Sequence, residues 1–144
     1  MRLRVRHGFM RAVDKLTQAA YHASGGRLGG RQLSYDILLL TTTGRKSGAA
    51  RTHALLYIRD GTRYIICASN YGAPSHPAWY HNLRANPQAE MQASRLKVAV
   101  RAADASGEER ERLWRQLVAV RASYTDYQRD NPRVIPVVIL TPEG

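Results

Sequence analysis

Short apolar runs separated by turn residues fill the middle of the chain and predict a mainly β protein. Residues 35–43 combine four consecutive aliphatic residues with three threonines, a pattern typical of a buried strand. Asp60-Gly61 is a strong signal for a two-residue hairpin. Further strands are predicted over about 52–59, 63–69, 88–93, 96–103 and 134–140. Because antiparallel hairpins dominate and no regular strand–helix alternation is present, we expect a small, mostly antiparallel barrel with flanking helices.

Two helices are predicted after residue 70. Ser75-His76-Pro77 is typical of a helix start, and Asn86-Pro87 ends that helix. Ser106-Gly107-Glu108-Glu109 has the spacing of a capping box, with Ser106 as the N-cap. The helix that it opens is expected to bury three residues at helical spacing, Leu113, Leu117 and Val120.

Positive charge is concentrated at the start of the chain. The 144 residues, enough for one domain, carry a net charge of +11, and residues 1–31 hold seven Lys and Arg against one Asp. We therefore predict a basic amphipathic N-terminal helix in residues 1–30, joined by a glycine-rich stretch to a body spanning 31–144. Such a helix either packs on the body or lies on an anionic membrane surface. No apolar run is long enough to span a membrane and no secretory signal is apparent, so we expect a cytoplasmic protein.

The loop Gly44-Arg45-Lys46-Ser47-Gly48 has the composition of an anion-binding site. Its glycines allow a sharp turn, and Arg45, Lys46 and the nearby Arg51 supply cations, with hydroxyls from Ser47 and Thr52. The spacing is not that of a Walker A loop, and an ordinary basic hairpin turn has the same composition. The loop nevertheless suits a phosphate or phosphodiester.

No amino-acid nucleophile or metal site stands out. The five histidines lack metal-ligand spacing, so no metal is expected. Cys67 lies within an apolar strand and is interpreted as a buried, inert thiol. Nucleic-acid binding is not expected, because the chain has neither an aromatic platform nor a recognition helix. An anion site without a nucleophile favours a phosphorylated cofactor that itself performs the reaction.

Three blocks resemble the deazaflavin-dependent nitroreductase family, which uses coenzyme F420. They are residues 38–48 (LLLTTTGRKSG), residues 68–83 (ASNYGAPSHPAWYHNL) followed by Asn86-Pro87, and Tyr124-x-x-Tyr127-Gln128 leading to residues 135–142 (IPVVILTP). The blocks fall in order and cover about 35–142, so the resemblance takes in most of the body.

The resemblance implies a split β-barrel and an F420H2-dependent oxidoreductase. Such an enzyme transfers a hydride from the reduced deazaflavin to an electrophilic acceptor such as a quinone or a nitro-aromatic. Ser69, Tyr124 and Tyr127 match positions near the reacting groups, although both tyrosines could instead seal the core. The cofactor-binding positions implied by the family are Gly44, Arg45, Lys46, Ser47, Gly48, Arg51, Thr52, Ala68, Ser69, Asn70, Gly72, Trp79 and Asn82.

Departures from the family pattern leave alternatives open. Leu56 and Arg121 occupy places where nitroimidazole-reducing members carry tyrosines, so the resemblance implies coenzyme binding but leaves nitroimidazole reduction open. One alternative is a related split barrel that binds FMN. Another is a non-enzymatic protein that binds deazaflavin or an anionic surface. The sequence does not specify the physiological acceptor or the oligomeric state.

Overall fold

The computed structural model describes residues 31–32 and 35–143, which form eight strands and three helices. The strands are β1 Arg31–Gln32, β2 Tyr35–Thr43, β3 Ala50–Leu56, β4 Ile58–Asp60, β5 Arg63–Cys67, β6 Gln88–Ala93, β7 Leu96–Asp104 and β8 Val137–Pro142. The helices are α1 Ala78–Ala85, α2 Gly107–Val120 and α3 Ser123–Arg129, and a 3₁₀ turn covers Asn70–Gly72. The predicted N-terminal helix lies outside the described residues.

The strands form one antiparallel sheet that curls into a barrel. The strand order runs β3-β2-β6-β7-β8-β5-β4, with β1 added to the start of β2. Tyr57 alone separates β3 from β4, so a single stretch of chain supplies both ends of the sheet. The predicted strand over 52–59 is therefore two strands, bent where the sheet curls. The predicted antiparallel barrel with flanking helices is confirmed.

Alternation along the strands divides the apolar residues between two cores. In β5, Tyr64 and Ile66 face the barrel interior, whereas Ile65 and Cys67 face outward. Helix α1 packs against the interior core through Trp79, Tyr80 and Leu83. Helices α2 and α3 cover the outer face of β5 and β8 and bury Leu113, Leu117 and Tyr124 there. Both faces of β5 are thus buried, which explains its unbroken apolar sequence.

Helix α2 differs from its prediction at both ends. Ser106 is the N-cap residue, but its side chain makes no capping hydrogen bond. Glu109 instead accepts a hydrogen bond from Arg63 at 3.1 Å, so the predicted capping box does not form. Val120 is 43% exposed, because it is the last residue of the helix and lies beyond the core that Leu113 and Leu117 enter. The predicted helical spacing is confirmed for Leu113 and Leu117, but the apolar side of the helix that is buried ends before Val120.

The last strand begins three residues later than predicted. Val134 is 67% exposed, and β8 starts at Val137, directly after a proline that cannot donate a backbone hydrogen bond to a sheet. Helix α1 similarly begins at Ala78, with Pro77 rather than Ser75 at its N-cap position. Both shifts leave the segments before β8 and α1 irregular, and these segments contact each other in the candidate site.

Candidate active site

The β2–β3 loop, residues 44–49, is a tight turn that depends on two glycines. The Gly44 N–H donates to the Ala49 carbonyl at 2.7 Å, and the Gly48 N–H donates to the Gly44 carbonyl at 2.8 Å. Gly48 has a φ of +73°, in the left-handed region that favours glycine. A Cβ on Gly44 would lie 2.9 Å from Ser47 Oγ. This turn leaves Arg45 and Lys46 exposed at its tip.

Three cationic side chains lie in or directly after this loop, and none has an acidic partner among the residues that the structure describes. Arg45, Lys46 and Arg51 are exposed, and none of the ion pairs found in the described part of the chain includes them. Together with Gly44, Ser47 and Gly48 they form what we call the cationic loop site. The uncompensated charge suits a phosphate or a carboxylate.

The backbone amides of the loop contribute less than the sequence suggested. Those of Gly44 and Gly48 donate within the loop, that of Ala49 donates to Ser47 Oγ at 3.2 Å, and that of Arg45 donates to Asn82. Four amides are therefore already used, so the glycines shape the turn rather than present their N–H groups. Side chains, together with the amides of Lys46 and Ser47, are therefore the donors that this loop could offer to an anion.

Asn82 of α1 connects the helix to the cationic loop site. Its Oδ1 accepts from the Arg45 N–H at 3.0 Å, and its Nδ2 donates to Thr42 Oγ1, also at 3.0 Å. Asn82 and Thr42 are both buried. The side chain implied by the resemblance as a cofactor contact therefore lies beneath the loop and fixes its position.

The segment after β5 has an unusual backbone that a tyrosine ring covers. Asn70, Tyr71 and Gly72 have φ values of 49°, 55° and 80°. A Cβ on Gly72 would lie 2.7 Å from Cδ1 of Tyr127, so only glycine permits this close approach. Helix α3 therefore packs closely against the 3₁₀ turn through the Tyr127 ring.

Arg133 and Asn131, which the sequence analysis did not single out, hold the same segment from the other side. Arg133 donates to the carbonyls of Ala68, Ser69 and Ala73 at 2.8–3.2 Å. Asn131 donates to the Ala73 carbonyl at 2.8 Å. The only sequence signal is an Asn-Pro-Arg turn before the last strand, and a local turn signal does not reveal partners about 60 residues away.

His76 completes this arrangement as a neutral acceptor. Its Nδ1 lies 2.9 Å from Arg133 Nη1. Burial, followed by the nearby Arg133 charge, lowers the pKa of His76 below its ordinary value. The ring is therefore neutral at physiological pH, and Nδ1 accepts from the guanidinium when the proton is on Nε2.

A cleft of about 220 Å³ opens beside β3, on the opposite edge from β2. Its walls are residues 53–56 of β3, residues 69–71, the start of α1 with Trp79, and the side chains of Arg121 and Tyr124. Small-molecule sites begin at roughly 300 Å³, so a ligand here remains partly exposed at the mouth. We refer to this space as the β3 cleft.

The β3 cleft unites part of the predicted site. Ser69, Asn70, Trp79 and Tyr124 line it. Ala68 is fully buried in the interior core, Asn82 lies beneath the cationic loop site, and Gly72 and Tyr127 contact each other outside the cleft lining. Thr52 lies on β3 beside the cationic loop site, where its hydroxyl is 2.8 Å from Thr41 Oγ1. The predicted cofactor residues thus fall into a cleft group, a loop group and supporting residues.

Tyr124 and Tyr127 lie on one side of α3, as their spacing predicted. Their ring centroids are 6.4 Å apart. Tyr124 is buried, and burial raises the pKa of its hydroxyl well above the ordinary value. The Tyr127 hydroxyl accepts a hydrogen bond from Arg121 Nη2 at 3.2 Å. Tyr124 therefore lines the cleft as a neutral phenol, and the Tyr127 ring packs against Tyr124 and Gly72.

Comparison with known proteins identifies the family. The family described as F420H(2)-dependent quinone reductase matches residues 13–142. The chain belongs to this family. An F420H(2)-dependent quinone reductase of Mycobacterium tuberculosis is 41% identical over 131 residues, covering 88% of this chain and 88% of the relative.

Solved structures agree with this assignment. The structure of an F420-H2 dependent reductase, FDR-A, is 39% identical and superimposes with a TM-score of 0.67, covering 72% of this chain and 92% of that one. A second solved structure, described as a domain-swapped dimer, is 35% identical and superimposes with a TM-score of 0.70, covering 85% of this chain and 93% of that one. The predicted split β-barrel, the F420-dependent oxidoreductase class and coenzyme F420 as the cofactor are confirmed.

Several expectations lie beyond these findings. No helix among the described residues is long and apolar enough to cross a membrane. Association of residues 1–31 with an anionic membrane and the boundary at residue 30 stay predictions, because residues 1–30 lie outside the part of the chain that the structure describes. The individual site residues also stay predictions, and the family match itself begins at residue 13.

Proposed function

We propose that this family member holds reduced coenzyme F420 across the cationic loop site and the β3 cleft and reduces a quinone-type acceptor in the cleft. The observation that carries the proposal is that strand β3 joins the two sites. Arg51 belongs to the loop group and residues 53–56 line the cleft. At roughly 3.3 Å per residue, positions 53–56 lie about 7–17 Å from Arg51 along the strand, a reach suited to a ligand with a flat head and an acidic tail.

The side chains present fit such a ligand. Arg45, Lys46 and Arg51 would hold the phosphate and the glutamate carboxylates of the coenzyme tail, because no described acidic side chain competes for them. Trp79 and Asn70 would border the deazaflavin ring in the cleft. When bound, the coenzyme supplies the hydride, so the protein needs no nucleophile or metal of its own.

The protein's own contribution is to orient the acceptor and to stabilise charge. The Tyr124 hydroxyl is neutral at physiological pH, so it would donate a hydrogen bond to the acceptor oxygen that becomes negative as hydride arrives. Ser69 lines the same cleft and offers a second hydroxyl. Cys67 also borders the cleft, but burial raises its pKa to about 12, which disfavours a thiolate nucleophile.

Titration calorimetry with coenzyme F420 tests the proposal. Lys46→Ala and Arg51→Ala should each weaken binding by about 1.5–3 kcal/mol, the scale of a hydrogen bond to a charged group. Arg101→Ala, which removes an exposed cation of β7, is the charge-matched control and should leave affinity nearly unchanged. Unchanged affinity in both loop variants, or an equal loss in Arg101→Ala, would exclude the cationic loop site.

A further inference from the structure

We propose that Arg121 selects the acceptor: its guanidinium favours acceptors that carry, or develop, negative charge on oxygen. Ionised hydroxyquinones should therefore bind more tightly than neutral quinones of nearly the same shape. This inference rests on the proposed function, because it places the acceptor in the β3 cleft.

Arg121 is fixed in the wall of the cleft by aromatic rings. It follows the last residue of α2, and its N–H donates to the Leu117 carbonyl at 2.9 Å. Its guanidinium carbon lies 5.9 Å from the ring centroid of Tyr35, 5.4 Å from that of Tyr124 and 5.7 Å from that of Tyr127. Three neighbouring rings restrict the orientation of a planar cation and cover part of its surface.

The charge of Arg121 meets only neutral groups among its described contacts. Its Nε donates to Ser123 Oγ at 2.9 Å, and its Nη2 donates to the Tyr127 hydroxyl at 3.2 Å. None of the ion pairs within residues 35–143 involves it. A half-buried guanidinium in a cleft wall whose described partners are all neutral keeps a positive charge that no described acid compensates, and this charge attracts an anion. This differs from Arg133, whose donors are occupied by backbone carbonyls.

The reaction gives this charge a role beyond binding. Addition of a hydride to a neutral quinone forms one bond to hydrogen and leaves a negative charge on an oxygen of the hydroquinone. Water then supplies the one proton that completes the hydroquinone and is left as hydroxide, because arginine remains protonated. The guanidinium would stabilise the monoanion in the transition state, and it would also stabilise a substrate that is already anionic.

Two naphthoquinones of nearly equal shape test the proposal without turnover. The probes are 2-methyl-1,4-naphthoquinone, which is neutral, and its 3-hydroxy derivative, which is ionised at neutral pH. Each is titrated into the protein saturated with oxidised coenzyme F420. Wild-type protein should bind the ionised probe more tightly, and Arg121→Gln should weaken that binding about tenfold or more, while binding of the neutral probe changes far less.

A spectroscopic readout separates charge from packing. The visible absorbance of the hydroxyquinone reports its ionisation, so wild-type protein should lower the pKa of the bound probe and Arg121→Gln should not. Arg121→Lys retains the charge and should restore part of the preference. Arg115→Gln, which removes an exposed charge of α2, is the matched control and should behave like wild type.

The outcomes distinguish this inference from the proposed function. If the wild-type protein binds the coenzyme but has equal affinity for the two probes, the role of Arg121 is overturned and the proposed function stands. An equal loss for both probes in Arg121→Gln also overturns it, because that result indicates packing. Failure of the wild-type protein to bind the coenzyme overturns the proposed function itself. If Arg121→Gln does not fold, equal affinity of the wild-type protein for the two probes still overturns the role of Arg121.

Discussion

Burial determines which reactive side chains around the β3 cleft can take part in chemistry. The Cys67 thiol has its pKa raised to about 12, so it stays protonated at neutral pH. Burial also keeps the Tyr124 phenol neutral, but a neutral phenol still donates a hydrogen bond. The same physical effect therefore removes one candidate nucleophile and leaves one candidate donor.

Tyr124→Phe and Tyr127→Phe should have different consequences. Tyr124→Phe should lower kcat for quinone reduction about tenfold, the scale of a lost hydrogen bond to developing charge, with coenzyme affinity unchanged. Tyr127→Phe keeps the ring against Gly72 and loses only the hydrogen bond from Arg121, so its effect should be smaller. Steady-state kinetics measures both variants.

Thermal unfolding of the same variants provides the control for packing. If Tyr124→Phe lowers the unfolding temperature while turnover per folded molecule stays at the wild-type level, then Tyr124 only seals the outer core. That core contains its ring together with Leu113 and Leu117. The assignment of its hydroxyl to the acceptor would then be wrong.

At the scale of elements, helix α1 determines where the cationic loop site lies. Asn82 hydrogen-bonds to the loop backbone at Arg45 and to the Thr42 side chain of β2. Helix α1 also packs into the barrel interior through Trp79 and Leu83. The loop that carries the cations is thus tied to a helix that is packed into the barrel core, which preorganises the loop for an anion.

Asn82→Ala should weaken coenzyme binding although Asn82 need not touch the coenzyme. Removing its two hydrogen bonds, one buried and one half-buried, leaves Thr42 Oγ1 and the Arg45 N–H without these partners, which should lower the free energy of unfolding by about 1–3 kcal/mol. Thr42→Val, which removes only the hydroxyl partner, should have a smaller effect, and the double variant should be non-additive. Urea unfolding and coenzyme titration measure both quantities.

Asn86→Ala is the matched control for that cycle. Asn86 follows the same helix, and within the described part of the chain its side chain accepts a local, exposed hydrogen bond from the Gln88 N–H. The Asn86→Ala variant should leave coenzyme affinity unchanged. Wild-type stability and affinity in Asn82→Ala would show that the hydrogen bonds of Asn82 do not fix the loop.

Local patterns predicted the strands well because strand periodicity is itself local. The alternation in β5 and the Asp60-Gly61 turn report the backbone of their own segments. The capping box failed because Glu109 pairs with Arg63, far away in the sequence. Arg133 was missed for the same reason, since its partners lie in the segment 68–76. Contacts across the barrel are set by the fold, and residue spacing does not encode them.

At the scale of the whole molecule, barrel closure brings the two halves of the candidate site together. The bend at Tyr57 joins β3 to β4 and completes the curled sheet. This places the β2–β3 loop, the segment after β5 and helix α3 around β3. The sequence suggested the anion site by composition and the cleft residues by family resemblance. It could not show that Asn82 hydrogen-bonds to the loop backbone or that the Tyr127 ring packs on Gly72.

Charge on the whole molecule also favours an anionic coenzyme. The net charge of +11 attracts polyanions over a range limited by salt screening, about 8 Å at physiological ionic strength. General attraction of this kind is lost at high salt for any exposed cation. The Arg101→Ala control separates that attraction from binding in the cationic loop site.

Anaerobic single-turnover mixing tests the central claim most directly. Protein saturated with reduced coenzyme F420 is mixed with 2-methyl-1,4-naphthoquinone, and formation of the oxidised deazaflavin is followed by absorbance. We predict one coenzyme oxidised per quinone, a slower rate when the transferred hydrogen is deuterium, and no covalent protein adduct by mass spectrometry. A coenzyme that stays reduced at saturating quinone, or equal turnover with reduced FMN, would contradict the account.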